Sequence, residues 1–138
     1  MEKDFQTKLM QLEYLNQQIR GMQMHLNEVT KAVDELSVLN VGLKNLKTSK
    51  KGDDVLVPLG ASSYVKASLT ASNKVIVSVG AGVFVEKTID DAVPIVSKQI
   101  KELRKQEETM FQNITMLSQE SEKLSFEINS AMRAGKSV

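Results

Sequence analysis

Cysteine and tryptophan are absent from the 138 residues. Without a thiol there can be neither a disulfide framework nor a thiolate metal site, a composition that suits a reducing cytoplasm. Histidine occurs once. His25 lies beside Leu26 in a helical pattern, where it reads as a solvated helix-face residue with no second imidazole to complete a metal site or a nucleophilic dyad. Aromatic residues make up 4% of the chain, and 18 basic residues face 17 acidic ones, so there is no basic, aromatic-interleaved footprint for nucleic acid. No apolar run approaches a membrane span, and the opening MEKDFQTKLMQLEYLNQQ is too polar for a signal-peptide core. The expected setting is cytoplasmic, with no membrane and no nucleic acid among its partners. Gly80-Ala81-Gly82 lacks the third glycine of a dinucleotide loop and leads into a strand, and no Walker motif is present. Asp53-Asp54 and Asp90-Asp91 read as loop solvation and helix capping rather than cation ligands. No catalytic residue, metal or cofactor is expected, and the chain reads as a non-enzyme.

What is present is a short stretch of strand periodicity between two long stretches of helix periodicity. Apolar residues recur at every second position in Val55, Val57, Leu59, in Val65, Ala67, Leu69, in Val75, Val77, Val79, and in Val83, Val85. Gly60-Ala61-Ser62-Ser63, Ala71-Ser72-Asn73 and Gly80-Ala81-Gly82 supply the turns, which predicts four antiparallel strands in two hairpins. Pro58 cannot donate to a ladder and marks an edge or a bulge. Some thirty-five residues bury too little surface to be stable unaided, so the hairpins over 53–88 are expected to be an oligomerisation surface. Its predicted contact residues are Val55, Val57, Leu59, Val65, Leu69, Val75, Val77, Val79, Val83 and Val85.

The first helical stretch carries a heptad seam, with Phe5, Leu12, Ile19, Leu26 and Val33 at one position and Leu15, Met22, Val29, Leu36 and Leu43 at the other. It predicts a helix ending at 47, followed by the breaker run Thr48 to Asp54. Lys44, Lys47, Lys50 and Lys51 gather where a helix C-terminal dipole favours cations. Thr88-Ile89-Asp90-Asp91 predicts a second helix over 89–133, with Pro94 either near its first turn or deep enough to kink it. Its seam is Ile100, Ile114, Ile128 and Val96, Leu103, Met110, Leu117, Leu124, Ala131, and the tail 134–138 is expected to fray. At about 1.5 Å per residue the two helices have nearly equal lengths. An antiparallel pairing then stacks Phe5 on Ala131, Leu12 on Leu124, Ile19 on Leu117, Leu26 on Met110, Val33 on Leu103 and Leu36 on Ile100. Asn40, Glu107 and Ser121 interrupt the seam and are expected to specify this register. The fold class is mainly α (α+β), a long antiparallel coiled-coil hairpin with two central β-hairpins, read as one domain over 1–138.

VLVPLGASSYVKASL (Val55 to Leu69), KVIVSVGAGVFVEKT (Lys74 to Thr88) and the helix start Asp90-Asp91-Ala92 together resemble the α class of prefoldin subunits, which carries two central hairpins where the β class has one. The resemblance implies a heterohexamer of two α-type and four β-type prefoldin subunits built on an oligomeric β-barrel platform. It also implies an ATP-independent chaperone that captures non-native client proteins and delivers them to a group II chaperonin. Its client-binding tips would be the helix ends away from the hairpins. There Phe5, Leu9, Met10, Leu12 and Tyr14 of the first helix meet Leu124, Phe126, Ile128 and Met132 of the second. A two-helix tip buries one stripe from each helix, so Leu9, Met10, Tyr14, Phe126 and Met132, which lie off the seam, are expected to stay partly exposed. The alternative is a coiled-coil scaffold or tether that assembles through its hairpins and holds no client.

Overall fold

A single helix, α1, carries the first set of heptads from Glu2 to Lys47 and passes through Gly21 without a break. Glu2 and Asp4 in its first turn and Lys44 and Lys47 in its last turn both complement the helix dipole. Its end is closed by Asn45 and Leu46, whose carbonyls accept from the Thr48 and Ser49 amides at 3.2 and 3.0 Å. The hydroxyls of Thr48 and Ser49 also donate to the Asn45 carbonyl, covering acceptors that a helix end otherwise leaves unpaired. We describe residues 2–136 of a computed structural model, leaving aside the side chains of Val79 and Lys136.

Four strands follow: β1 (Asp54–Gly60), β2 (Ser63–Ser68), β3 (Lys74–Gly80) and β4 (Val83–Thr88). They form two separate antiparallel sheets, β1 with β2 and β3 with β4. Each hairpin turns through two residues with positive φ, Ala61 and Ser62 (48° and 62°) in the first and Ala81 and Gly82 (51° and 73°) in the second. That is the twist-matched geometry of tight hairpins. Each ladder also shifts register just before the turn, between Pro58 and Gly60 and between Ser78 and Gly80, where the glycines adopt φ of 112° and 104° that other residues resist. The first shift adjoins Pro58, as a residue without an amide donor allows. Backbone bonds from Gly52 to Leu69 and from Leu69 to Asp53 lengthen the first ladder, and Ile89 donates to Asn73 at the base of the second.

The second helix, α2, runs from Ile89 to Lys136. Thr88 caps it, its hydroxyl oxygen accepting from the Asp91 amide at 3.2 Å. Pro94 therefore sits inside the helix, where its missing amide leaves the Asp90 carbonyl without the usual helical donor. At the other end the residues 134–136, expected to fray, are helical, since Met132, Arg133 and Ala134 are good helix formers that carry the helix through Gly135. Ser137 and Val138 lie outside the described residues.

The chain divides into two compact units. In the first, Met1–Val33 with Glu102–Val138, the seam residues Val29, Val33, Ile114 and Ile128 are buried. The Thr30 hydroxyl donates to Glu107 Oε2 and the Ser121 hydroxyl to Asn16 Oδ1, each at 2.8 Å, and Lys8 Nζ pairs with Glu127 at 3.6 Å. In the expected register Thr30 lies opposite Gln106, Asn16 opposite Glu120 and Lys8 opposite Ile128, so each observed partner is one residue away. A slip of a heptad would break all three.

The second unit is Asp34–Lys101. Its core is Leu43, Ile89, Ala92 and Val96, none more than 4% exposed, with Leu36, Leu46, Val75, Val77, Val93 and Ile100 packed around them. Here the second hairpin lays one face on the helices. Lys47 Nζ reaches Asp90 Oδ1 at 2.8 Å, joining the last turn of α1 to the first turn of α2. The Asp90 carboxylate, by hydrogen bond and then by charge, raises the Lys47 pKa above its ordinary value. A raised lysine pKa contributes fully below the unfolded value and is lost only as pH climbs through the folded one, so this link is constant over physiological pH. Both partners are exposed, and its worth is small. Asn40 Nδ2 donates to Ser97 Oγ at 3.2 Å, again one residue from the expected register, while Asn40 Oδ1 is buried without a partner.

Two stability predictions follow from these sites. A Cβ built on Gly21 meets nothing within 4 Å, so Gly21→Ala should stabilise α1 by about 1 kcal/mol, read as a higher thermal midpoint by circular dichroism. Asn40→Leu removes a buried acceptor that no group satisfies and should raise stability by about 1 kcal/mol or more in denaturant titration. A fall in stability would mean that the Ser97 bond outweighs the orphaned oxygen.

Candidate functional site

Two sets of exposed apolar side chains stand out, one in each unit. In the second unit the alternation of the strands and the register assign residues to faces. Val55, Val57, Val65 and Ala67 share one face of the first hairpin, because Val55 pairs with Ala67 and Val57 with Val65. Leu56, Pro58 and Tyr64 share the other, since Leu56 pairs with Lys66 and Pro58 with Tyr64. Neither face is buried: Val55, Ala67 and Leu69 are half-covered, while Val57, Leu59, Val65, Leu56 and Tyr64 are exposed. The second hairpin is lopsided. Its inner face, Val75, Val77 and Val85, is half-covered, and the first two pack on the Leu43 core. Its outer face holds Ile76 and Phe84, 73% and 66% exposed. Val83 is exposed, and the side chain of Val79 lies outside the described residues.

The periodicity reading selected the odd-numbered face and missed Leu56, Tyr64, Ile76 and Phe84. The signal was in the sequence: Val55-Leu56-Val57-Pro58-Leu59 and Val75-Ile76-Val77 are continuous apolar runs, which is how strands read when both faces are to be covered. A cleft of about 690 Å³ lies between the second hairpin and the helices, lined by Leu36, Leu39, Ile76, Ala92, Ile95 and Val96 among others. It extends the apolar surface onto α1 and α2, where Leu39 and Ile95 are exposed.

In the first unit the residues expected off the seam are on the surface. Leu9, Met10, Tyr14, Phe126 and Met132 are all exposed, Met10 and Phe126 by more than 70%. Phe5, Leu12 and Leu124 are half-buried seam residues, and Ile128, 5% exposed, is a core residue and no part of the surface. Beside them lies a shallow cleft of about 380 Å³ whose walls are Tyr14, Leu15 and Leu124 with the charged rim Glu120, Lys123 and Glu127. Such a surface offers apolar contact with no directional polar anchor, which suits weak binding of varied partners. Met24, Phe111 and Met116, also exposed, were not anticipated, because each is an isolated apolar residue off the seam.

No group of three or more His, Asp or Glu side chains suited to a metal ion occurs among the described residues. Among them, too, no helix is long and apolar enough to cross a membrane.

Comparison with known proteins places this geometry. A family model described as prefoldin subunit matches residues 15–133. The prefoldin subunit alpha of Methanococcus maripaludis is 32% identical over 108 residues, covering 78% of this chain and 73% of that one. The filamentous prefoldin of Methanocaldococcus jannaschii, a cryo-EM structure, is 29% identical with a TM-score of 0.70 and covers 83% of this chain and 95% of that chain. The crystal structure of the prefoldin beta subunit from Thermococcus strain KS-1 shares the fold, with 19% identity, a TM-score of 0.63, and coverage of 94% and 93%. Prefoldin subunits are non-enzymatic chaperone components that assemble, α-type with β-type. With two central hairpins between paired helices and a family match over most of its length, this chain belongs to the prefoldin family, in its alpha-subunit class.

Proposed function

We propose that the chain is the α-type member of a cytoplasmic heterohexamer of two α-type and four β-type subunits. The hexamer captures non-native proteins without ATP and delivers them to a group II chaperonin. The hairpins are its assembly surface, and the ends of α1 and α2 in the first unit hold the client. The observation that carries this reading is the group Leu9, Met10, Tyr14, Phe126 and Met132, apolar side chains left exposed beside a cleft that the seam does not fill. Each contact is worth little alone. Several such ends acting on one unfolded chain supply avidity, and the holding needs no nucleotide because nothing in it is consumed. A filament, the assembly named for the Methanocaldococcus jannaschii relative, is the second reading, and it draws on the apolar surface that both hairpins leave open.

The test is suppression of light scattering by a denatured protein diluted into buffer with the complex of this chain and β-type subunits. Met10→Ser, Tyr14→Ser and Phe126→Ser together touch no core position and should leave helix content and mass unchanged while weakening protection several-fold. Removal of residues 1–10 and 125–138 should weaken it further. An intact complex that never suppresses aggregation would install the scaffold or tether reading. A mass that grows with concentration would favour the filament over a closed hexamer.

A further inference from the structure

Six of the seven methionines lie among the described residues, and the seam divides them into two classes. Met22 and Met110 sit on the seam and are half-buried. Met10, Met24, Met116 and Met132 lie off it and are between 48% and 71% exposed. Two of these four, Met10 and Met132, belong to the group of apolar side chains proposed to hold the client. Met24 and Met116 stand about 20 Å further along their helices.

Cysteine and tryptophan are absent, so the thioethers are the side chains of this chain most readily oxidised by a peroxide. The sulfur lone pair attacks one peroxide oxygen, the O–O bond breaks, an S–O bond forms and water leaves. Sulfur is oxidised and the peroxide is reduced. The product, methionine sulfoxide, is polar and no longer offers an apolar contact. A sulfoxide reductase reverses the step, removing the oxygen as water while a pair of thiols becomes a disulfide. Place decides what each oxidation does. At Met22 or Met110 a sulfoxide would bring a polar group into the seam and loosen the helix pair. At the four exposed sites it disturbs no core position, and there the reagent has open access.

We infer that Met10 and Met132 form a reversible oxidation switch on the holding surface, through which hydrogen peroxide lowers client capture while leaving the helices and the complex intact. The inference rests on the proposed client-holding reading. Leu9, Tyr14 and Phe126 keep their apolar character, so capture is weakened rather than abolished. Because several helix ends act on one client, a small loss at each is multiplied in the whole. The packing around Met22 and Met110 shields the coiled coil over the range in which the surface responds.

The complex of the full-length chain with β-type subunits is treated with hydrogen peroxide, and each preparation is scored against its own untreated suppression of light scattering. Peptide mass spectrometry should find the added oxygen at Met10 and Met132 several-fold sooner than at Met22 and Met110, with helix content and assembly mass unchanged. Protection should fall several-fold at that stage and return with methionine sulfoxide reductase and dithiothreitol. Met10→Leu with Met132→Leu should remove most of the fall, which separates the methionines of this chain from any on its partners. Met24→Leu with Met116→Leu, off the holding surface, should leave the fall as it is. Equal oxidation of seam and surface sites, protection unmoved by oxidation, or a fall that Met10→Leu with Met132→Leu does not reduce would overturn the inference and leave the holding reading in place. An untreated complex that never protects would overturn the holding reading and the switch together.

Discussion

The packing of Leu43 on Ile89, Ala92 and Val96 holds the hairpins to the helices, and the rest of the second unit is arranged by it. α1 delivers Leu43 one turn before its end, and α2 delivers Ile89, Ala92 and Val96 in its first two turns. The strands between them must therefore leave and return to nearly one point. Val75 and Val77 join that core, which fixes which face of the second hairpin is inward. The first hairpin has no such anchor. The bonds among Gly52, Asp53 and Leu69 close its own base, and among the described residues its Leu56, Val57, Leu59, Tyr64 and Val65 stay exposed.

Much of this was legible in the sequence because periodicity survives without tertiary context. The heptads gave two helices and their pairing within one residue of the bonds made by Asn16, Thr30 and Asn40. The reason is that a seam of Leu, Ile, Val and Met can be buried against only one stripe of a partner. The hairpins were legible from their turn residues. What alternation could not give was the second face. Choosing Val55 and Val57 as the apolar phase assigns Leu56 to solvent by default, a rule that fails when both faces await a partner. Ile128, named both as a seam residue and as part of the tip, is buried as its heptad position requires. The start of α2 could not be fixed from sequence, since Thr88 and Asp90 are both good caps, and only the bond from the Asp91 amide to the Thr88 hydroxyl oxygen decides between them.

The three polar residues that interrupt the seam repay attention as a set. Glu107, Ser121 and Asn40 each find a partner on the opposite helix, Thr30, Asn16 and Ser97. Leucine in their places would bury more apolar surface, but a seam of leucines accepts a heptad slip at little cost, whereas a slipped register would strand these polar groups without partners. Alignment of the helix ends, on which a composite apolar surface depends, is thereby secured at some expense in stability. Asn40 carries the clearest share of that expense, because one of its amide atoms stays unsatisfied even in the correct alignment.

The turn of the first hairpin has a bearing on the life of the chain before assembly. Ala61 and Ser62 both take positive φ without being glycine, whereas the second hairpin has Gly82 in the matching place. Left-handed backbone at an ordinary residue costs roughly 1 kcal/mol, and a two-stranded sheet with no buried face has little to set against it. On the proposed reading of the hairpins as an assembly surface, a subunit that has not met its partners would carry one hairpin held weakly until it is covered. Completion of the fold and entry into the complex would be linked through concentration, and an orphan copy would differ from an assembled one in its susceptibility to proteases.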